Sequence, residues 1–576
     1  MKKSLRFAVL AAALGAFVGA QAQCPTGETQ VSVNITTDQW ASETTWTLTG
    51  LGGTPVYASG GPWTNLGAPG TTDRPPVLAC VPDGPIIVFT INDAYGDGIY
   101  STAYGAGFYT VTSNGGATTH ASNYAFTTSQ DIAYFVTGPQ SALDLGALTV
   151  GLPAVVAQGN QSITGSLRNF GTTAITGFTL NYTVDGGATV SAPITANVAV
   201  GASYNFTHPT PWNATTGSHV INVWASAPNG STDGNLLNDM ISVNVNVASQ
   251  SVQRVVLIEE FTSSTCAPCA SYNNTFDPLL TSVNANGAGS NIAAVKYQMN
   301  WPSPGTDPSY NPDGVTRRTY YGVSGIPDVF LNGRDPSNAY TNNAANLNAE
   351  AALPAFCTIN LNATYAGNTL TVSGSVTPHA AFPGSYKLHI AAVESYAYQG
   401  TTSQTQFKHA QRKMFPNGSG ITLTTLQDGV AQTFNQSFNF TQGGVAQGNY
   451  NLWGSIANVK VVAFVQNNTT KEVLQAAFVS QLSVGIDEVN ALDRHLTLFP
   501  NPTDGQMSLS FDLPSATNVS FTVLNLVGEQ VMSSTRGFGS GEQRHNLDLS
   551  ALANGSYLVQ VTADGLTATR KVTVSH

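Results

Sequence analysis

Cys266-Ala267-Pro268-Cys269 is the strongest chemical signal in the chain. Just before it, Arg254-Val255-Val256-Leu257-Ile258 reads as a strand buried on both faces. Just after it, Phe276, Leu279, Leu280 and Val283 recur at helical spacing. The cysteines therefore fall where a helix begins. Free N–H groups and the dipole at a helix start favour negative charge, so a thiol there is drawn toward its thiolate. Two-residue spacing lets a second thiol resolve a mixed disulfide on the first. On this reading Cys266 attacks and Cys269 resolves. Two other readings stay open. One is a small structural disulfide, suited to an oxidising compartment. The other is a metal site, for which only Cys357 and His409 offer further ligands.

A second candidate is the loop Asn92-Asp93-Ala94-Tyr95-Gly96-Asp97-Gly98. Asp93 and Asp97 could hold Ca²⁺ through carboxylate oxygens. The spacing partly copies an EF-hand loop, but Tyr104 stands where the last glutamate belongs. A tight turn in which aspartate caps backbone N–H groups is the competing reading. No other cofactor is indicated: there is no P-loop, no His-Glu-x-x-His and no dinucleotide fingerprint. Lys408, His409, Arg412 and Lys413 form a basic cluster where cations are otherwise scarce. It reads as an exposed edge or a contact with a neighbouring domain. The sharper alternative is a docking site for an acidic partner or a surface polysaccharide.

The 576 residues suffice for several domains of roughly 100–200 residues. Charged residues are 9% of the chain, against a usual ~25%. Lys and Arg number 21 and Asp and Glu 32, for a net charge of −11. So few cations exclude a nucleic-acid binder or a protein drawn to anionic membranes. Scarcity of Glu and Lys excludes long coiled coils. Low charge with abundant Thr, Ser, Asn and Gly points to extracellular β-sandwiches.

The N-terminus reads as a signal peptide over 1–22. Lys2, Lys3 and Arg6 precede the apolar run Phe7–Ala20, and Ala20-Gln21-Ala22 suits cleavage before Gln23. Lipidation at Cys24 is the rival. No later run reaches the ~20 apolar residues of a spanning helix, so no transmembrane segment is expected. Residues 23–138 alternate as a β-module, in which Cys24 and Cys80 are expected to pair. Residues 141–248 alternate as a second, with strands near Phe178–Val184 and Val220–Trp224. In 252–355 the order is strand, helix, strand (Ile292–Tyr297), strand (Asp328–Leu331) and a helical tail near Ala344–Leu353. Residues 356–484 return to β-structure as a separate sandwich, with Cys357 a buried thiol. A linker at 485–494 leads to a last β-unit at 495–576.

Several of these segments resemble known families. "LIEEFTSSTCAPC" (Leu257–Cys269) and "YYGVSGIPDVFLNG" (Tyr320–Gly333) resemble the thioredoxin-like pattern. The resemblance implies that Glu260 is a buried acid assisting proton transfer and that Pro327 is a cis-proline beside the disulfide. Thr265 departs from the tryptophan common before the first cysteine. The insertion Trp301–Pro312 and "FKHAQRKMFP" (Phe407–Pro416) are more similar to the outer-membrane-protein-28-related family. "GSLRNFGTTAITGFTLNYTVDGG" (Gly165–Gly187) resembles immunoglobulin-like spacers of the CARDB kind, and Glu43-Thr44-Thr45-Trp46 with the Asp93 loop resembles a sandwich module of secreted proteins. "LFPNPTDG" (Leu498–Gly505), "VLNLVGEQV" (Val523–Val531), "LDLSALANGSYLVQV" (Leu547–Val561) and "KVTV" (Lys571–Val574) resemble the type A sorting domain of the type IX secretion system. That implies export by the type IX machinery and release or attachment at the outer surface of the outer membrane.

The expected fold is therefore multidomain and mainly β, with immunoglobulin-like or jelly-roll-like sandwiches and one α/β thioredoxin-like domain. The expected function is thiol–disulfide exchange by a secreted or surface protein. The alternative is a non-catalytic surface adhesin whose Cys-x-x-Cys is structural.

Overall fold

The computed structural model describes residues 24–441, 443, 446–484, 492, 496–513, 515–563 and 566–576. The expected signal peptide, its cleavage before Gln23 and all of the expected linker but Leu492 lie outside the described residues. Among the described residues no helix is long and apolar enough to cross a membrane. The chain is a mainly β, multidomain protein. It divides into two compact units. One runs to Ser251 and includes 379–383 and 426–429; the other holds the remainder.

The first unit contains two sandwiches. In the first, Val31, Val33 and Ile35 point from Glu28–Thr37 into a core with Trp46, Leu48, Phe89 and Ile91. Alternation of period two places every second residue inside. Cys24 and Cys80 form the expected disulfide. In the second sandwich, a three-stranded sheet built on Thr164–Asn169 faces a five-stranded one built on Gly217–Ser226. Leu145, Leu167, Leu180, Ile221 and Val245 fill the space between them.

The second unit is organised around an eight-stranded sheet. Its order is Asp328–Leu331, Val256–Thr262, Ile292–Gln298, Gln406–Phe415, Tyr386–Ala397, Val459–Asn467 and Val473–Val479, with Ile421–Thr422 also paired to Tyr386–Ala397. Val256–Thr262 and Ile292–Gln298 are parallel, from Val256↔Ile292 to Thr262↔Gln298. A parallel neighbour requires a crossover, and helix α1 (Ala267–Ser282) supplies it. Asp328–Leu331 then pairs antiparallel on the other side. Every residue of Val256–Thr262 is buried. Val256 and Ile258 join the α1 side with Phe276 and Leu280. Leu257 and Phe261 join the opposite side with Tyr297, Tyr321 and Phe464.

This sheet corrects one expectation. Residues 356–484 do not form a sandwich of their own after a boundary at 355. Five of their strands, Ile421–Thr422 among them, extend the sheet begun by 256–331, through the parallel pair Lys296↔Ala410. The others, Cys357–Ala366, Thr369–Pro378, Gln432–Asn439 and Ser483–Val484, make a separate four-stranded sheet. Pairing across more than a hundred residues leaves no local mark in the sequence. Helix α2 (Pro312–Tyr321) was also not expected. Its signals are present: Asn311 Oδ1 accepts from Gly314 N at 3.2 Å as N-cap, Pro312 occupies the first turn, and Gly322 closes it at φ 78°.

The C-terminal strands form a three-stranded and a four-stranded sheet around Phe511, Phe521, Val523, Val559 and Val561. Gln506–Leu513 is the central strand of the first, and Thr517–Leu524 and Gly555–Ala563 are the central strands of the second.

Candidate functional site

Cys266 is the N-cap of α1, with its Sγ accepting from Cys269 N at 3.1 Å. The capping position arises because Ser263, Ser264 and Thr265 prefer turn bonding to helix; Thr265 N donates to Ser263 Oγ at 3.2 Å. Cys266 and Cys269 are joined in a disulfide, with Cα atoms 5.2 Å apart. Their residues are 1% and 0% exposed, while Ala267 and Pro268 between them are exposed. The bridge thus lies directly beneath the surface. On its other side Cys266 Sγ is 3.8 Å from the Ile326 carbonyl oxygen, and the Ile326–Pro327 bond is cis. Ser324 and Gly325, just ahead, are exposed.

The loop leading into Cys266 is held by segments distant in sequence. Ser264 N donates to Asp307 Oδ2 at 2.7 Å, Thr265 Oγ1 to the Pro302 carbonyl at 2.9 Å, and Thr402 Oγ1 to the Ser264 carbonyl at 3.2 Å. The insertion Trp301–Pro312 and the loop near Thr402 are therefore part of the wall around the disulfide.

Glu260 is fully buried on the α1 side of the sheet. Its cross-strand neighbour is Lys296, whose Nζ lies 2.6 Å away. The same ammonium contacts Asp277 Oδ1 and Asn273 Oδ1, both at 2.7 Å. Asn273 and Asp277 lie one and two turns beyond Cys269 on α1. Burial raises the Glu260 pKa, with Lys296 partly opposing it. Two carboxylates share one ammonium here. His409 adds no charge, because burial, and then Lys296, push its pKa down to about 3. Lys296, Asp277 and Asn273 were not singled out from sequence. Their signal was weak: a lone lysine in the buried strand Ile292–Gln298.

The other sequence candidates fall elsewhere. His409 Nδ1 takes part in a contact with Asn286 Nδ2 at 3.1 Å. Cys357 is a free, buried thiol whose pKa burial pushes up to about 12. The basic cluster is not an exposed edge. Arg412 and Lys413 are buried in Gln406–Phe415; Arg412 lies 3.7 Å from Glu394, and Lys413 Nζ contacts Asp313 Oδ2 at 2.9 Å. Both pair with internal carboxylates, whereas the half-buried Lys408 donates to Thr281 Oγ1. The segment's alternation failed to show burial because charge pairs replaced apolar residues.

In the first sandwich, Asp93 Oδ1 accepts from Gly96 N at 2.5 Å and Asp97 N at 3.2 Å, the geometry of a capped turn. The carboxylates of Glu43, Asp93 and Asp97 lie within 4.8 Å of one another. Asp38 belongs to the same group: burial, then the other acids, raise its pKa and that of Glu43. Sequence spacing named Asp93 and Asp97 but did not bring the Glu43 carboxylate to them.

Residues 497–575 match the family described as a secretion system C-terminal sorting domain. The chain carries a type IX sorting tail and is a secreted or cell-surface protein. No curated protein matches it. Similar solved structures include a protein of Agrobacterium tumefaciens, 14% identical, covering 42% of this chain and 100% of that one at a TM-score of 0.27. The CARDB domain of a Pyrococcus furiosus protein, solved with di-metal ions, is 16% identical over 19% of this chain and 94% of that one, TM-score 0.16. A tetra-tandem repeat from the extending region of a large adhesion protein is 11% identical over 95% and 92%, TM-score 0.19. Likenesses at these scores carry no argument about function.

Proposed function

We propose that this secreted or surface protein carries a thioredoxin-like thiol–disulfide exchange centre, exported by the type IX machinery and presented at the outer membrane surface. The observation that carries the reading is Cys266 Sγ capping α1 through the Cys269 N–H while bonded to Cys269. That donor, with the helix dipole, stabilises a thiolate on Cys266 once the bridge opens. In the oxidised state a substrate thiolate attacks Cys266 Sγ. The S–S bond breaks, and Cys269 leaves as a thiolate that takes up a proton. A second substrate thiolate then attacks the substrate sulfur of the mixed disulfide and releases Cys266 as the stabilised thiolate. The substrate dithiol is oxidised and Cys266/Cys269 is reduced. Glu260 serves as the proton reservoir under α1. Exposed Ser324 and Gly325, with half-buried Ile326 and Pro327, present the face that receives the substrate chain.

Insulin reduction, with dithiothreitol as electron source, tests this on the full chain. Cys266→Ser should abolish turnover; activity equal to wild type refutes the proposal. A second reading, a non-catalytic adhesin with a structural bridge, is favoured by the burial of both sulfurs. A reduction potential below about −300 mV supports that second reading. A Cys266 pKa near or below ~7 in the reduced protein supports exchange, and one near ~8.5 opposes it.

A further inference from the structure

Lys296, 2% exposed, projects from Ile292–Gln298 beneath α1. Its Nζ meets three side chains: Glu260 Oε2 at 2.6 Å, and Asn273 Oδ1 and Asp277 Oδ1 at 2.7 Å each. Glu260 and Asn273 are 0% and 2% exposed. The Phe276 ring covers the amine, its centroid 5.0 Å from Nζ. An amine, a carboxamide and a carboxyl group thus share one space closed to water.

The carboxamide is held ready for attack. Asn273 Nδ2 donates to Thr262 Oγ1 at 3.2 Å and to Gln404 Oε1 at 3.3 Å, which turns Oδ1 toward Lys296. A C=O bond is about 1.2 Å long, so Asn273 Cγ lies no more than about 4 Å from Nζ. Two groups fixed at such separations react as if within one molecule of solvent-free reagent, because the entropy of meeting has been met by the fold. Glu260 completes the set. Burial, its largest influence, raises its pKa, and its Oε1 receives no hydrogen bond. A carboxylate so placed can take a proton from the ammonium beside it.

We propose that Lys296 and Asn273 join in an intramolecular isopeptide bond that ties α1 to the strand beneath it. Glu260 takes one proton from the Lys296 ammonium. The neutral Nζ attacks Asn273 Cγ, and the new C–N bond forms. A second Nζ proton passes to Nδ2, the Cγ–Nδ2 bond breaks, and ammonia leaves. The product is a secondary amide between Cγ and Nζ, with Glu260 protonated. No oxidant, reductant or cofactor is consumed, and the cysteines take no part. Gln404, which holds Nδ2, is followed by exposed Thr405 and Gln406, a short way out for ammonia. Burial lowers the Lys296 pKa, but Glu260 and Asp277 outweigh it and raise it overall. The neutral amine is therefore scarce, and the bond matures slowly after folding. Asp277 is the competing electrophile, but a carboxylate resists nucleophiles, and its reaction would expel water instead of ammonia.

The test is mass spectrometry of the purified full chain after several days at neutral pH, reduced, alkylated and digested with trypsin. Lys296 is the one cleavage site between Arg254 and Arg317, and trypsin does not cut after an acylated lysine. Wild type should give 255–317 as one peptide, lighter by one ammonia. Free 255–296 and 297–317 as the sole products overturn the proposal. A joined peptide lighter by one water assigns the link to Asp277 and overturns Asn273 as the partner. Cyclisation at Asn286-Gly287 also expels ammonia, but it leaves Lys296 open to trypsin and so counts against the bond. Glu260→Gln keeps the shape but cannot take the proton; it should slow formation of the joined peptide about 100-fold, and an unchanged rate overturns the mechanism. The wild-type digest decides whether the bond exists even if that variant does not fold.

Discussion

Glu259 and Glu260 are adjacent in one buried strand and meet opposite circumstances. Strand alternation sends them to opposite faces. On the α2 face, Glu259 is matched one to one by Arg317 at 2.8 Å. Tyr297 and Tyr321 hydroxyls donate to the same carboxylate, and Arg317 also reaches Gln466 Oε1 at 2.9 Å. That network is balanced in charge. On the α1 face, Glu260 shares Lys296 with Asp277, so negative charge exceeds positive. A balanced network resists change and specifies packing. The unbalanced one lies under the helix that carries the disulfide. Identical residue types at consecutive positions thus meet different charge surroundings through the geometry of the strand.

Substitutions on the two faces should separate these roles. The largest effect is expected from Cys266→Ser, which should reduce insulin reduction to background. Opening so short a loop should cost only about 2 kcal/mol of stability, read from urea unfolding. Arg317→Leu should do the opposite. It strands Glu259 in the interior and should cost about 3–5 kcal/mol, while folded molecules keep their exchange rate. Equal activity loss in both variants would break the distinction between the faces.

Glu260→Gln should slow exchange by about 100-fold, the scale of a lost proton carrier, and flatten its pH profile. The same variant tests linkage. A carboxyl raised by burial favours folding below its unfolded value of about 4.5 and loses that contribution as pH rises through the folded value. Wild type should therefore lose stability over that rise, and Glu260→Gln should lose less. The smallest effect is expected at Cys357. Cys357→Ala should cost about 1 kcal/mol and leave exchange unchanged, and the native thiol should resist alkylation at neutral pH. Rapid alkylation of folded protein would show that this residue is not sealed in the core.

The Cys266-Ala267-Pro268-Cys269 motif could be placed at a helix start because its cues are local: an apolar run, turn-forming serines and helical spacing follow one another within thirty residues. The sorting tail was legible because its motifs are local, from Leu498–Gly505 to Lys571–Val574. Lys296, Asp277 and the wall built by Asp307 and Thr402 were not legible, since nothing near them in the chain announces their partners. The basic residues of Gln406–Phe415 misled for a related reason. Their charge suggested exposure, whereas Glu394 and Asp313 wait for them inside.

The chain by itself determined a β-rich, cation-poor, exported protein with one thiol pair at a helix tip, because composition, period and turn residues act over short range. Only the tertiary structure decided that 386–479 completes the sheet of the thiol centre, and which buried charges meet. Those outcomes depend on strands pairing across long separations. Such pairing is selected by the burial and charge balance of the assembled whole, not by any segment alone.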